Sequence, residues 1–142
     1  MGSAFALYRQ VHLGGRIVLP ELAITDVERL RTQGYSIDLI EAEGWANAVL
    51  HGYRIPAIFS KSVTELLIKL PMSYRNGKPD MFWTDPDLLL KDGRVPHSAE
   101  NIENALGKQW RRFSWHPTNW NPGVDDLATY LEFVNNRLAK SE

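Results

Sequence analysis

The sequence predicts an α+β fold in which one helix precedes a group of strands and further helices follow it. Two observations lead to this prediction. Short segments between residues 35 and 84 have the alternation or the β-branched, aromatic content of strands. Apolar residues near the end of the chain recur instead at helical spacing. Helical and strand patterns that occupy separate stretches of a chain are typical of α+β domains.

The first helix is predicted over residues 26–33. Thr25 and Glu28 have the spacing of a capping box, and Gly34 supplies a C-terminal stop. Residues 1–15 before it are predicted to be irregular, and a short apolar segment follows at residues 16–19. The helix is therefore expected to be the first regular element of the chain.

Four strands are predicted next, and their succession along the chain indicates an antiparallel meander. Gly44 marks the first turn and Pro71 closes the third strand. The predicted strands are residues 35–39, 45–50, 63–70 and 81–84.

Two C-terminal helices complete the prediction. Ser98 is expected to cap a helix over residues 99–112. The last helix is predicted over residues 124–140, where Asp125 and Asp126 complement the positive end of the helix dipole. Its apolar stripe consists of Leu127, Tyr130, Leu131, Val134 and Leu138.

Length and composition favour one soluble domain over residues 1–142. Hydrophobic residues make up 44% of the 142 residues, and the net charge of −1 argues against a chain that coats nucleic acid or an acidic membrane. No apolar run approaches the length of about 20 residues that spans a bilayer, and no secretory signal is recognisable. The chain has no cysteine, which excludes disulfides and thiol nucleophiles and agrees with a cytoplasmic location.

Residues 71–93 resemble the ubiquitin-conjugating enzymes. Tyr74 precedes Pro79, an apolar strand and an Asp-Pro-Asp turn, and Asp92-Gly93 follows. Five segments in order are similar to a prokaryotic branch of that superfamily, its family E, namely LPELAITDVERL, GYRIP, PDMFW, WRRFSWH and WNPGVDDLATYL. The resemblance implies the fold of that superfamily, with an N-terminal helix, a four-stranded antiparallel meander and C-terminal helices.

The resemblance also implies a pathway and its partners. These are a ubiquitin-like modifier and an activating enzyme, with a JAB-type protease as a further partner. The chain nevertheless departs from the family at the active site. Asp85-Pro86-Asp87 stands in place of His-Pro-Asn, and Pro96 stands in place of the catalytic cysteine. A thioester needs a sulfur nucleophile, which this chain lacks.

Ser114 and His116 are the candidate catalytic pair, because a hydroxyl nucleophile needs a general base close to it. The acyl group would then be held as an oxyester. Arg112 and Trp115 are the candidate partner-binding residues, since arginine and tryptophan are enriched at interface hot spots. His97 with Ser98 is a second catalytic candidate. Both pairs also have an ordinary structural explanation as loop and capping residues.

Neither a metal site nor a cofactor site is expected. The four histidines are widely spaced, no glycine-rich loop opens a helix, and turn chemistry accounts for Asp85, Asp87 and Asp92. The basic patch of Lys108, Arg111 and Arg112 is too short to predict nucleic-acid binding.

Three functional hypotheses remain open at this point. The first is a conjugating-enzyme-like protein that receives or positions the C-terminus of a modifier without a cysteine. The second is a catalytically inactive adaptor of the same fold that binds the modifier or the activating enzyme. The third is an unrelated α+β binding module, because a fold does not fix a function.

Overall fold

The computed structural model describes residues 8–9 and 18–142, and it has two helices and seven strands within them. The elements in chain order are β1 (Tyr8–Arg9), α1 (Glu21–Thr32), β2 (Ser36–Ala42), β3 (Trp45–Arg54), β4 (Val63–Pro71), β5 (Phe82–Thr84), β6 (Asn101–Ala105), β7 (Lys108–Phe113) and α2 (Leu127–Ala139). This order confirms the α+β prediction.

The strands form one sheet in the order β1-β2-β3-β4-β5-β7-β6. The six strands from β2 to β6 along this order pair antiparallel, and β2 to β5 are the predicted meander. Strand β1 pairs in parallel with β2, so the prediction of an irregular N-terminus is wrong for Tyr8–Arg9. The rest of the predicted irregular segment and the start of the apolar segment at 16–19 lie outside the described residues.

The predicted helix over residues 99–112 is wrong, because this segment is the β6–β7 hairpin. Leu106 and Gly107 have φ angles of 53° and 76°, which are the positive values that a tight two-residue hairpin turn requires. Ser98 itself has a φ of 60°, which is incompatible with the start of a helix. Trp110 faces one side of the sheet and Phe113 the other, as strand alternation demands.

Helix α1 begins a turn earlier than predicted. It starts at Glu21 behind Pro20, whose fixed φ suits a helix N-terminus. Thr25 therefore lies inside the helix, and its hydroxyl donates to the carbonyl of Glu21 at 3.0 Å instead of capping. The earlier start places Ala23 in the core, where it is fully buried.

Helix α2 confirms the prediction for the last element, with a later start. Asp126 is its N-cap and accepts a hydrogen bond from the backbone N–H of Thr129 at 3.0 Å. The Thr129 side chain accepts from the Asp126 backbone in return, which completes a capping box. All five residues of the predicted apolar stripe are buried.

The main core lies between α1, α2 and the inner face of the sheet. Phe82 of β5 and Phe113 of β7 stack there with ring centroids 4.9 Å apart. A smaller cluster covers the outer face of the sheet and consists of Val49, Leu67, Trp83 and Trp110. The end of β7 is therefore packed on both faces of the sheet, and this packing fixes the position from which residues 114–116 continue.

The buried carboxylate of Asp26 connects three parts of the chain. It accepts a hydrogen bond from the Tyr74 hydroxyl at 2.6 Å and pairs with the guanidinium of Arg75. The backbone N–H of Leu127, at the start of α2, also points at it from 3.3 Å. Burial and the neighbouring carboxylate raise the pKa of Tyr74 far above its ordinary value, so the phenol remains a donor.

Candidate functional site

The loop between β5 and β6 contains the position where the resemblance places a catalytic cysteine. Pro96 occupies that position and is buried. The loop is fixed at two points by backbone hydrogen bonds. Lys91 donates to the carbonyl of Ile58 at 2.9 Å, and His97 donates to the carbonyl of Ser141, just after α2, at 2.9 Å. The neighbourhood of Pro96 is thus a fixed part of the fold.

Ser114 follows β7 directly and lies beside this loop. Its backbone N–H donates to the carbonyl of Ser98 at 2.9 Å, two residues from Pro96. Its hydroxyl oxygen is 3.0 Å from Nε of Arg112, which donates to it. Arg112 also donates from Nη1 to the carboxylate of Glu103 at 2.6 Å. The Ser114 hydroxyl is therefore held by a guanidinium that is itself neutralised by a carboxylate.

His116 forms a pair with an acidic residue from the neighbouring chain segment. Its Nδ1 lies 2.7 Å from Oδ1 of Asp80. The backbone holds the two segments side by side, because the Met81 N–H donates to the Trp115 carbonyl at 3.1 Å. An aspartate on Nδ1 favours the tautomer in which Nε2 is free to accept a proton.

The structure brings Ser114 and His116 near each other without joining them. No hydrogen bond links their side chains among the described residues. Since Met81 pairs with Trp115 and Phe82 with Phe113, residues 113–116 continue the path of β7 along β5. Residues two apart on an extended chain point to the same side, so the two side chains share one face.

Trp115 points the other way, toward the core. It packs against the core cluster and makes a tilted ring contact with His97, with ring centroids 5.4 Å apart. The guanidinium carbon of Arg137 in α2 lies 4.4 Å from the Trp115 ring centroid. The indole Nε1 is buried and has no acceptor among the described residues. Trp115 is thus half-buried support for the site and presents only part of its surface to a partner.

The Asp85-Pro86-Asp87 turn is held by cations from the loop between β3 and β4 and from β7. Lys61 donates to Asp85 at 2.8 Å and to Asp87 at 3.0 Å. Burial alone would raise the pKa of Asp85, but hydrogen bonds from Lys61 and the Glu65 backbone, together with the charges of Lys61 and Lys108, outweigh it and lower the pKa below its ordinary value. Buried Arg111 donates to the carbonyl of Pro86 at 2.8 Å. This turn is therefore a structural unit with its carboxylates engaged.

A groove of about 380 Å³ runs along the outer face of the sheet and reaches this site. Arg112, which donates to Ser114, and Asp80, which pairs with His116, line it together with Trp45 and Trp83. Trp45 is 40% exposed, which is high for a tryptophan. The groove therefore includes Arg112, the residue that donates to the Ser114 hydroxyl.

Sequence reasoning missed Asp80, Glu103 and Arg137. A helix over residues 99–112 does not pair residues 80–83 with residues 113–116. The Asp80–His116 pair therefore could not be predicted from the sequence. Glu103 was hidden for the same reason, because it meets Arg112 across the β6–β7 hairpin. Arg137 was explained by the helix dipole alone.

The described part of the chain, residues 8–9 and 18–142, contains no group of three metal-ligating side chains that could hold an ion. Within the same residues, neither helix is long and apolar enough to cross a membrane.

Comparison with known proteins gives one match. The family described as Prokaryotic E2 family E matches residues 22–141, which covers α1 except Glu21, all of α2 and six of the seven strands. No curated protein and no solved structure matches the chain.

Proposed function

The chain belongs to prokaryotic E2 family E, and from this premise we propose that it receives the C-terminus of a ubiquitin-like modifier on Ser114 as an oxyester. The family supports a role for this E2-like protein in a conjugation pathway. The proposal adds the acceptor atom, the base and the order of events. The chain has no cysteine, so a hydroxyl must replace the thiol if an acyl intermediate forms.

The observation that carries the proposal is the set of polar contacts around Ser114. Ser114 lies next to the loop of Pro96, and Arg112 donates to its Oγ at 3.0 Å. Asp80 is positioned on Nδ1 of His116 at 2.7 Å. These contacts support three roles: Ser114 as nucleophile, His116 as general base and Asp80 as the residue that orients the base.

The transfer step balances as an acyl exchange. The activating enzyme presents the modifier as a thioester, and Ser114 Oγ attacks its carbonyl carbon. The C–O bond forms, the C–S bond breaks, the hydroxyl proton passes to Nε2 of His116 and the departing thiolate takes up a proton. Arg112 is near enough to Ser114 Oγ to stabilise negative charge that develops at the carbonyl oxygen.

The test mixes the protein with its activating enzyme, ATP and modifier, and follows adduct formation by denaturing electrophoresis. We expect an adduct that survives thiol reductant and is cleaved by hydroxide or hydroxylamine. Ser114→Ala should abolish it, and His116→Ala should slow it by about 10²–10⁴-fold, as for loss of a general base. Ser98→Ala is the matched control, because Ser98 is the neighbouring hydroxyl and its variant should retain the adduct.

An adduct that persists in Ser114→Ala would contradict the serine assignment, and its loss in Ser98→Ala alone would transfer the role to the His97–Ser98 pair. Asp80→Asn should lower the rate without abolishing the adduct, because it disturbs the tautomer of His116 and leaves the nucleophile in place.

A catalytically inactive adaptor is the second candidate. The missing hydrogen bond between Ser114 and His116 among the described residues favours it. In that case the wild-type protein forms no adduct and still binds the modifier or the activating enzyme. Arg112→Ala and Trp115→Ala should then weaken this binding, whereas Ser114→Ala should not. A JAB-type protease is proposed as a further partner of the pathway under either candidate.

A further inference from the structure

A small cavity lies between α2 and the segment that follows Ser114. Its volume is about 250 Å³, and its walls include the rings of Trp120, Tyr130 and Phe133. Arg137 and His116 also line it. Ligand pockets for drug-sized molecules usually span about 300–1,000 Å³, so this cavity suits something smaller. Its aromatic walls fit the apolar part of a narrow chain.

Arg137 brings a positive charge to this cavity. Its guanidinium carbon lies 4.4 Å from the ring centroid of Trp115 and 5.6 Å from that of Phe133. Stacking engages the flat face of a guanidinium and leaves the N–H groups along its edge available. Within residues 8–9 and 18–142, no carboxylate pairs with this guanidinium and no side-chain hydrogen bond occupies it. The rings therefore hold the charge in place while its donors stay unused.

The acidic groups around the cavity are engaged elsewhere. Asp125 lines the cavity, but its Oδ2 accepts a hydrogen bond from the backbone N–H of Asn121 at 2.8 Å. Asp80 is paired with His116. The guanidinium of Arg137 is thus the fixed cation of the cavity, and the carboxylates around it already have partners.

We infer that this cavity binds a carboxylate carried on a short, narrow chain, with the edge of the Arg137 guanidinium as the paired donor. A guanidinium edge matches a carboxylate with two parallel hydrogen bonds, which is the strongest such arrangement available to a side chain. The aromatic rings then contact the one or two residues that precede the carboxylate. The inference goes beyond the transfer proposed for Ser114 and does not depend on it.

The test measures binding of three short glycine-rich peptides to the full chain by calorimetry. The first ends in a free carboxylate, the second is the same peptide amidated, and the third is amidated and has an aspartate side chain. We expect the free acid to bind at least about tenfold more tightly than the amide, which is about 1.4 kcal/mol. Arg137→Gln should remove this difference. Lys140→Gln, which loses the same charge at the same helix end, should keep it.

The third peptide identifies the source of the carboxylate. Binding of the aspartate peptide at the strength of the free acid assigns a side-chain carboxylate as ligand, and binding of the free acid alone assigns a chain end. The inference would be overturned if the free acid and the amide bound equally or if neither bound. It would also be overturned if Arg137→Gln kept the preference for the free acid. The binding measurement contains neither activating enzyme nor ATP, so failure here is separable from failure of the oxyester proposal.

Discussion

His51 connects three neighbouring strands by itself, since its ring bridges Asp38 of β2 and Glu65 of β4. Its Nδ1 lies 2.6 Å from Glu65 and its Nε2 lies 3.0 Å from Asp38. Burial works against the charged ring, but the hydrogen bonds to the two carboxylates outweigh it and raise the pKa of His51 above 6.5. The imidazolium is therefore favoured in the folded protein more than in the unfolded chain.

This shift predicts a pH-dependent contribution to stability. Because the folded-state pKa is raised, the contribution is complete below the unfolded value of about 6.5 and disappears as pH rises through the folded value. His51→Gln should lower the free energy of unfolding by about 0.2–1 kcal/mol per exposed ion pair at about pH 5.5, and by less at about pH 9. Urea denaturation at both pH values measures this. His97→Gln, at an exposed histidine, is the control. An equal loss at both pH values would contradict the prediction.

The β6–β7 hairpin depends on the conformation of its turn. Gly107 has a φ of 76°, and a Cβ added there would meet no atom within 4 Å. Gly107→Ala therefore tests backbone strain without a steric clash and should cost about 1–2 kcal/mol of unfolding free energy.

Thermal or urea unfolding of the Gly107→Ala variant checks this value. Gly123→Ala is the matched control, because Gly123 does not need a positive φ. A loss for Gly107→Ala no larger than that for Gly123→Ala would mean that the turn tolerates a side chain.

The hairpin also marks the limit of prediction from the sequence. The α2 stripe repeats over more than three helical turns, and such a long periodic pattern is reliable. The segment 99–112 has few apolar residues, so its period is ambiguous, and only Ser98 as a helix cap favours a helix there. Ser98 adopts a left-handed conformation instead, and pairing of β7 with β5 decides the structure. Such pairing is non-local, and no local pattern contains it.

The site shows the same division between local and non-local information. Ser114, His116, Trp115 and Arg112 lie within five consecutive residues, so the sequence alone could single them out. Asp80 reaches His116 from 36 residues away and Glu103 reaches Arg112 across the hairpin. These partners are brought together by the pairing of β5, β6 and β7, and a helix over residues 99–112 would contain no such pairing.

At the scale of the whole molecule, one core connects elements from both ends of the described chain. The main cluster extends from Leu19 to Leu138 and includes Phe113 of the hairpin. We therefore expect a single cooperative unfolding transition, as most domains below about 150 residues show. Calorimetry should give equal calorimetric and van't Hoff enthalpies. A separate transition at lower temperature, with loss of strand signal only, would show that the hairpin unfolds independently.

The carboxylate of Asp26 has a consequence for the order of folding events. Its partners Tyr74, Arg75 and Leu127 lie 48, 49 and 101 residues further along the chain. Until those segments meet, the carboxylate stays hydrated and makes none of these hydrogen bonds, because distant contacts form only after a large loss of chain entropy. Its bonds therefore form late and resist unfolding more than they speed folding. Loss of the Asp26 carboxylate is therefore expected to speed unfolding more than it slows folding, and so to shorten the lifetime of the native state.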